Sequence, residues 1–196
     1  FVHGNDELLM KLSAEINRII YGCSDSFEIS GSIVSSDPGL SLQWKNQLIN
    51  SQLVGEYNFP NLMAAVALGS YFKIKPDEIN EAISNYSPQN NRSQLKKTSH
   101  NTLYIDAYNA NPSSMELSIL NFSKIKGQKK ILILGDMFEL GESSATEHQK
   151  ILDLVASLKF EKAFFIGKHF YSLKNSFVHT AVFFPTTDEL NQFLTQ

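Results

Sequence analysis

The chain has 196 residues, enough for one large domain or two small ones, and its 42% hydrophobic and 19% charged content is that of a globular protein with a real core. A net charge of −3, with basic residues scattered and never adjacent beyond the pairs Lys96-Lys97 and Lys129-Lys130, argues against a nucleic-acid partner or a polybasic membrane patch. Cys23 is the only cysteine, which excludes an internal disulfide and a cysteine-rich metal site, and suits a cytoplasmic location.

Apolar stretches such as AAVAL and ILIL are far shorter than the ~20 residues of a membrane-spanning helix, and no signal peptide is visible. The chain opens FVHGNDELL without a methionine, inside what reads as a buried strand, so an origin within a longer protein is expected.

In chain order, FVHGN predicts a strand and DELLMKLSAEIN a helix capped by Asp6. RIIYG predicts a short strand. FEISGSIVSS, LSLQW and NQLINSQLVG show the alternation and turn punctuation of an antiparallel set. Helices follow at PNLMAAVALGSYF, with Pro60 in the first turn, and from Pro76, where Asp77 and Glu78 favour the positive end. The polar segment SNYSPQNNRSQ, Ser84 to Gln94, suggests a domain boundary near residue 89. Beyond it TLYIDA, KKILILGD, KAFFIG and TAVFF alternate with PSSMELSILNF, SATEHQKILDLVASL and the terminal TDELNQFLTQ. Apolar strands separated by amphipathic helices predict an α/β domain with a mostly parallel sheet and helices on both faces, preceded by a mixed α/β part.

Ligands of such sheets bind at the carboxyl ends of strands, and two polar clusters are expected there. In the first, Asn111 before Pro112 reads as a helix N-cap. Asp106 is either a turn residue or an acceptor for sugar hydroxyls, and Tyr108 and Asn109 are either ligand contacts or surface loop. In the second, GDMFELGESS, Gly135 permits close backbone approach, and Asp136 and Glu139 offer carboxylates to a cation or amine. Ser144 with Glu147 reads as a capping box, and His148 as an exposed helix residue rather than a base. In GEYNFPN, one of Asn58 and Asn61 can cap the helix and leave the other to meet an adenine edge, which needs both a donor and an acceptor. Arg92 is a candidate phosphate clamp. No P-loop, zinc spacing or nucleophile elbow occurs in the sequence, and no metal ligand is assigned.

The order LVGEYNFPNLMAA, NNR, YIDAYNANPSSM, ILGDMFELGESS…EH resembles the Mur ligases over essentially the whole chain, and within them the MurF type. The resemblance implies that residues 1–89 are the second half of the family's central ATPase domain and 90–196 most of its Rossmann-like C-terminal domain. It implies a cytoplasmic, monomeric enzyme of peptidoglycan precursor synthesis that uses ATP and Mg²⁺ to activate UDP-MurNAc-tripeptide as an acyl phosphate, which the amine of D-Ala-D-Ala then attacks.

Carried over by position, Asn58 and Asn61 would meet adenine, Arg92 the phosphates and Asp106 the ribose. Tyr108, Asn109, Asn111, Asp136 and Glu139 would lie toward the amino-acid substrate. Tyr57 stands where the family has histidine, and Ala107 where it often has serine. The family's phosphate loop, magnesium-binding glutamate and carbamylated lysine are expected upstream of Phe1, so the piece alone is expected to be inactive. The alternatives are a related folate-type or other Mur ligase, and a non-catalytic nucleotide- or partner-binding module of the same fold.

Overall fold

The computed structural model describes residues 1–37, 39–89, 91–127, 129–177 and 181–195; Asn90, Thr180 and Gln196, which belong to segments discussed above, lie outside them. The chain forms two compact units, Phe1–Asp106 and Ala107–Gln196.

Unit 1 begins with β1 (Val2–His3), α1 (Glu7–Leu12), β2 (Ile20–Gly22), β3 (Ile29–Ser35), β4 (Ser41–Trp44) and β5 (Gln47–Asn50). These strands make one sheet in sequential order, parallel from β1 to β3 and antiparallel from β3 to β5. Asp6 caps α1 by accepting the Leu9 N–H at 2.9 Å. The helix is only about half as long as DELLMKLSAEIN suggests. Ser13 Oγ donates to the Leu9 carbonyl and Arg18 to the Met10 carbonyl, so side chains satisfy the last turn early.

Helix α2 (Phe59–Tyr71) lies on this sheet, with α3 (Pro76–Asn85) beside it. Leu42 and Trp44 alternate inward on β4, Ile49 does so on β5, and Leu62, Met63 and Val66 of α2 with Ile79 and Ile83 of α3 close the core. A Cβ on Gly31 would sit 2.7 Å from Met63 Sδ and 3.0 Å from the Gln43 carbonyl, so the glycine leaves the room that the Met63 side chain of α2 fills. Asp77 and Glu78 occupy the first turn of α3, and Glu78 accepts the Lys75 N–H at 3.3 Å. The unit ends in an antiparallel ribbon of β6 (Gln94–Lys97) and β7 (Thr102–Ile105).

That ribbon departs from the sequence expectation. QLKK carries two charges in four residues and gives no apolar run, so β6 is not visible from composition. Its partner β7, expected in the parallel sheet, pairs with β6.

Unit 2 contains α4 (Pro112–Lys124), β8 (Ile131–Gly135), α5 (Ser144–Ser157), β9 (Lys162–Ile166), α6 (Lys168–Ser172), β10 (Ala181–Phe184) and α7 (Thr187–Leu194). The sheet is parallel, in the order β10-β9-β8. Ala163 and Phe165 of β9 join Leu132 of β8 in a core with α4, α5 and α6. Phe164 and Ile166 point the other way, toward Leu190 of α7. The period of two thus gives β9 helices on both faces, as the α/β pattern predicts, whereas Ile131 and Ile133 on the second face of β8 are exposed. No helix among the described residues is long and apolar enough to cross a membrane.

Candidate functional site

The first site grows from three short segments of unit 1. Gly55 turns the chain at φ +99°, and a single 3-10 turn, Glu56–Asn58, leads into α2. This delivers Tyr57 and Asn58 beside the segment that precedes β6. There Asn91 and Ser93 take left-handed φ values of +56° and +48°, unfavourable for non-glycine residues and found where surrounding bonds hold them.

The bonds that hold Ser93 are explicit. Asn58 Nδ2 donates to Ser93 Oγ at 3.1 Å, Ser93 Oγ and the Tyr57 hydroxyl lie 2.8 Å apart, and Tyr57 donates to Asp106 Oδ2 at 3.3 Å. The Ser93 N–H donates to Asp106 Oδ1 at 3.2 Å. Because Asn58 fills an acceptor position on Ser93 and Tyr57 gives its proton to Asp106, the Ser93 proton goes to Tyr57. One directed chain therefore runs from Asn58 through Ser93 and Tyr57 to the carboxylate. Burial raises the Tyr57 pKa above 10.0, a shift opposed by the Ser93 hydrogen bond and reinforced by the Asp106 charge, so the hydroxyl stays a donor at neutral pH.

The structure brings together Asn58, Asn61 and Asp106 as the sequence suggests, and corrects the expected helix cap. Neither asparagine caps α2. Asn58 is buried; its amide also donates to the Val54 carbonyl at 2.9 Å, and its oxygen accepts from Asn61 at 3.2 Å. Asn58 is thereby spent on structure, whereas Asn61 is exposed, with its carbonyl pointing no bond at the protein among the described residues. Asp106 is exposed too, and a carboxylate has about four acceptor positions, of which two are filled. Arg92, between the two left-handed residues, is exposed. Ser93 was missed from the sequence. Its only signal there is its place after Arg92, since one serine among many carries no pattern.

The second set lies in unit 2. Asn111 caps α4 as expected, accepting the Ser114 N–H at 3.0 Å and the Ser113 hydroxyl at 2.9 Å. Tyr108, Asn109 and Glu139 are exposed, and Glu139 has a left-handed φ of +63°. Asp136 differs. It is buried, and its two oxygens accept the His169 and Phe170 N–H groups at 2.9 and 3.0 Å, tying the end of β8 to the start of α6. Gly167 makes room for this: it sits at φ +118°, and a Cβ there would lie 2.3 Å from the Asp136 carboxylate. At Gly135 a Cβ would meet open space, so the crowded glycine is Gly167 and not the one the sequence singles out.

Two further expectations are overturned. The Ser144–Glu147 capping box does not form, because a 3-10 turn, Gly141–Ser143, runs straight into α5 and Glu147 pairs with Lys150 at 2.7 Å. His148 is not exposed but wholly buried, since the face of α5 carrying it packs toward Phe170. Among the described residues no group of three or more His, Cys, Asp or Glu side chains could hold a metal ion.

Comparison with known proteins identifies the family. The Mur ligase, glutamate ligase domain model matches residues 91–192, a little over half the chain. The UDP-N-acetylmuramoyl-tripeptide–D-alanyl-D-alanine ligase of Bacillus subtilis is 37% identical over 118 residues, covering 59% of this chain and 26% of the relative. A ligase structure from Acinetobacter baumannii, for UDP-N-acetylmuramoylalanyl-D-glutamyl-2,6-diaminopimelate and D-alanyl-D-alanine, superposes with a TM-score of 0.79 at 21% identity, covering 99% of this chain and 44% of that one. MurF ligase from Thermotoga maritima, in complex with ADP, gives a TM-score of 0.73 at 16% identity, covering 96% and 45%. The chain thus spans about a quarter of the curated relative and under half of either solved chain. By sequence and by fold, it belongs to the Mur ligase family.

Proposed function

We propose that this chain is part of an ATP-dependent amide ligase that joins D-Ala-D-Ala to UDP-MurNAc-tripeptide in peptidoglycan precursor synthesis, a monomer in the cytoplasm. Residues 1–89 belong to its central domain and 90–196 to its C-terminal domain. The γ-phosphate of ATP passes to the tripeptide carboxylate. The amine of the dipeptide then attacks the acyl phosphate and expels inorganic phosphate as the amide forms. Mg²⁺ would accompany ATP and offset the charge of its phosphates.

The observation that carries this reading is the directed chain ending on Asp106. Tyr57 and the Ser93 N–H fill one position on each carboxylate oxygen, which leaves one on each for the two neighbouring hydroxyls of a ribose. Asn61, braced by Asn58, meets the adenine edge with its free carbonyl and remaining N–H, and Arg92 takes a phosphate. In unit 2, Tyr108, Asn109, Asn111 and Glu139 receive the amine-bearing substrate, while Asp136 supports the loop from behind.

The test is phosphate release from ATP by the full-length ligase with UDP-MurNAc-tripeptide, with and without D-Ala-D-Ala. Release that requires the dipeptide is expected. Release that requires glutamate instead would place the chain with folate-type ligases, and nucleotide binding without release would make it a binding module.

A further inference from the structure

Unit 2 contains a buried histidine that this reaction does not use. The Met137 N–H donates to His148 Nε2 at 3.0 Å, so Nε2 carries no proton. Nδ1 lies 2.7 Å from the Ser144 carbonyl, which can only accept, so the proton is on Nδ1. The two contacts together define one tautomer of a neutral ring. That ring is 0% exposed, stands edge-on to Phe170 at 4.6 Å and stacks on His169 at 5.1 Å.

The loop that follows β8 is therefore tied at two successive residues. Asp136 binds it to α6, and His148 binds the Met137 backbone to α5. The Met137 side chain is also fully buried, and Leu140 packs on the same core. Between these anchors Phe138 is 70% exposed, and Glu139 is held in a left-handed conformation that glutamate does not favour. A segment this short that turns two side chains outward, one of them strained, needs its ends fixed.

We propose that His148 is the positioning residue of this loop: as a neutral imidazole protonated on Nδ1, it fixes the Met137 backbone and so holds Glu139, with Phe138 beside it, in place for the amine-bearing substrate. The substrate part rests on the ligase reading above; the lock does not. Asp136 Oδ1 is 3.6 Å from Nε2, and its oxygens are engaged by α6, so it does not compete with Met137 for the ring.

Two variants separate the roles of ring volume and ring nitrogen. His148→Phe keeps the volume and removes the acceptor; His148→Gln offers an acceptor oxygen near the Nε2 position. In the wild type, nitrogen chemical shifts should show an unprotonated Nε2 and a protonated Nδ1 at neutral pH. In the full-length ligase, His148→Phe should speed Met137 amide exchange and raise the KM for D-Ala-D-Ala, each on the order of tenfold, with the KM for ATP unchanged. His148→Gln should restore both. A protonated Nε2, or unchanged Met137 exchange in His148→Phe, overturns the lock. Faster exchange with an unchanged dipeptide KM overturns the positioning role. A wild-type ligase with no dipeptide dependence defeats the ligase reading instead, and the exchange and nitrogen shifts still decide the lock.

Discussion

Removing the Asp136 carboxylate should loosen unit 2 without touching its core volume. The side chain closes the start of α6 through two N–H groups, those of His169 and Phe170. Phe170 is 0% exposed, so its N–H has no water to turn to and its loss carries the full penalty of an unmet buried donor, about 1–3 kcal/mol. His169 is exposed and water can replace part of its bond, about 0.5–1 kcal/mol. Asp136→Ala should therefore cost about 1.5–4 kcal/mol. Asp136→Asn keeps one acceptor and should cost about 1–2 kcal/mol. Gly167→Ala attacks the same clasp from the other side, combining a φ of +118° with a Cβ 2.3 Å from the carboxylate, and should cost at least as much as Asp136→Asn.

The assay is native-state amide exchange of β9, which lies at the centre of the unit 2 sheet. The single tryptophan, Trp44, is in the core of unit 1, so its fluorescence during urea unfolding reports the other unit in the same sample. A loss below about 0.5 kcal/mol for Asp136→Ala would show that water or another group meets α6 equally well, and the clasp would be wrong.

Asn111→Ala should cost about 1 kcal/mol through loss of the α4 N-cap, read as faster exchange in the first turn of α4 with the last turn unchanged. Tyr57→Phe should destabilise unit 1 by about 0.5–1.5 kcal/mol near neutral pH, measured by urea unfolding followed at Trp44. The folded-state pKa of Tyr57 is raised above 10.0, so its contribution is fully present below pH 10 and is lost as pH rises through the folded value; the Phe variant should lack that part of the alkaline decline. Gly31→Ala should push the end of the Met63 side chain aside and crowd the Gln43 carbonyl, lowering the same urea midpoint at a cost of about 1 kcal/mol.

Patterning made much of this fold legible. ILILG and KAFFI read as strands because their residues are almost all apolar, though only β9 is buried along nearly its whole length while Ile131 and Ile133 of β8 are exposed, and Asn111-Pro112 read as a helix start because cap and proline chemistry are local. What failed depended on distant partners. QLKK forms a strand because TLYI is available to pair with it, not because of its own residues. Ser144 and Glu147 have capping-box spacing, yet the preceding 3-10 turn supplies the backbone continuity that a cap would otherwise provide. His148 looks like a surface residue until α6 is seen to cover it. Of the proposed nucleotide site, Asn58, Asn61 and Asp106 are candidates by motif order, but which asparagine is spent on structure is not legible there. That distinction is made by Ser93 and Val54, which reach Asn58 only in the folded unit.

Phosphate release by the full-length ligase, wild type against Asp106→Ala, is the most direct measurement of where the nucleotide sits. Hydrogen bonds to a charged group contribute about 1.5–3 kcal/mol each, so losing the carboxylate should raise the KM for ATP by at least about tenfold. The KM for D-Ala-D-Ala should stay within about twofold, because the residues proposed for that substrate lie elsewhere in the chain. Dipeptide-dependent release with an unchanged KM for ATP in Asp106→Ala would contradict the nucleotide assignment and return Asp106 to the role of a ribbon-end partner for Tyr57 and Ser93.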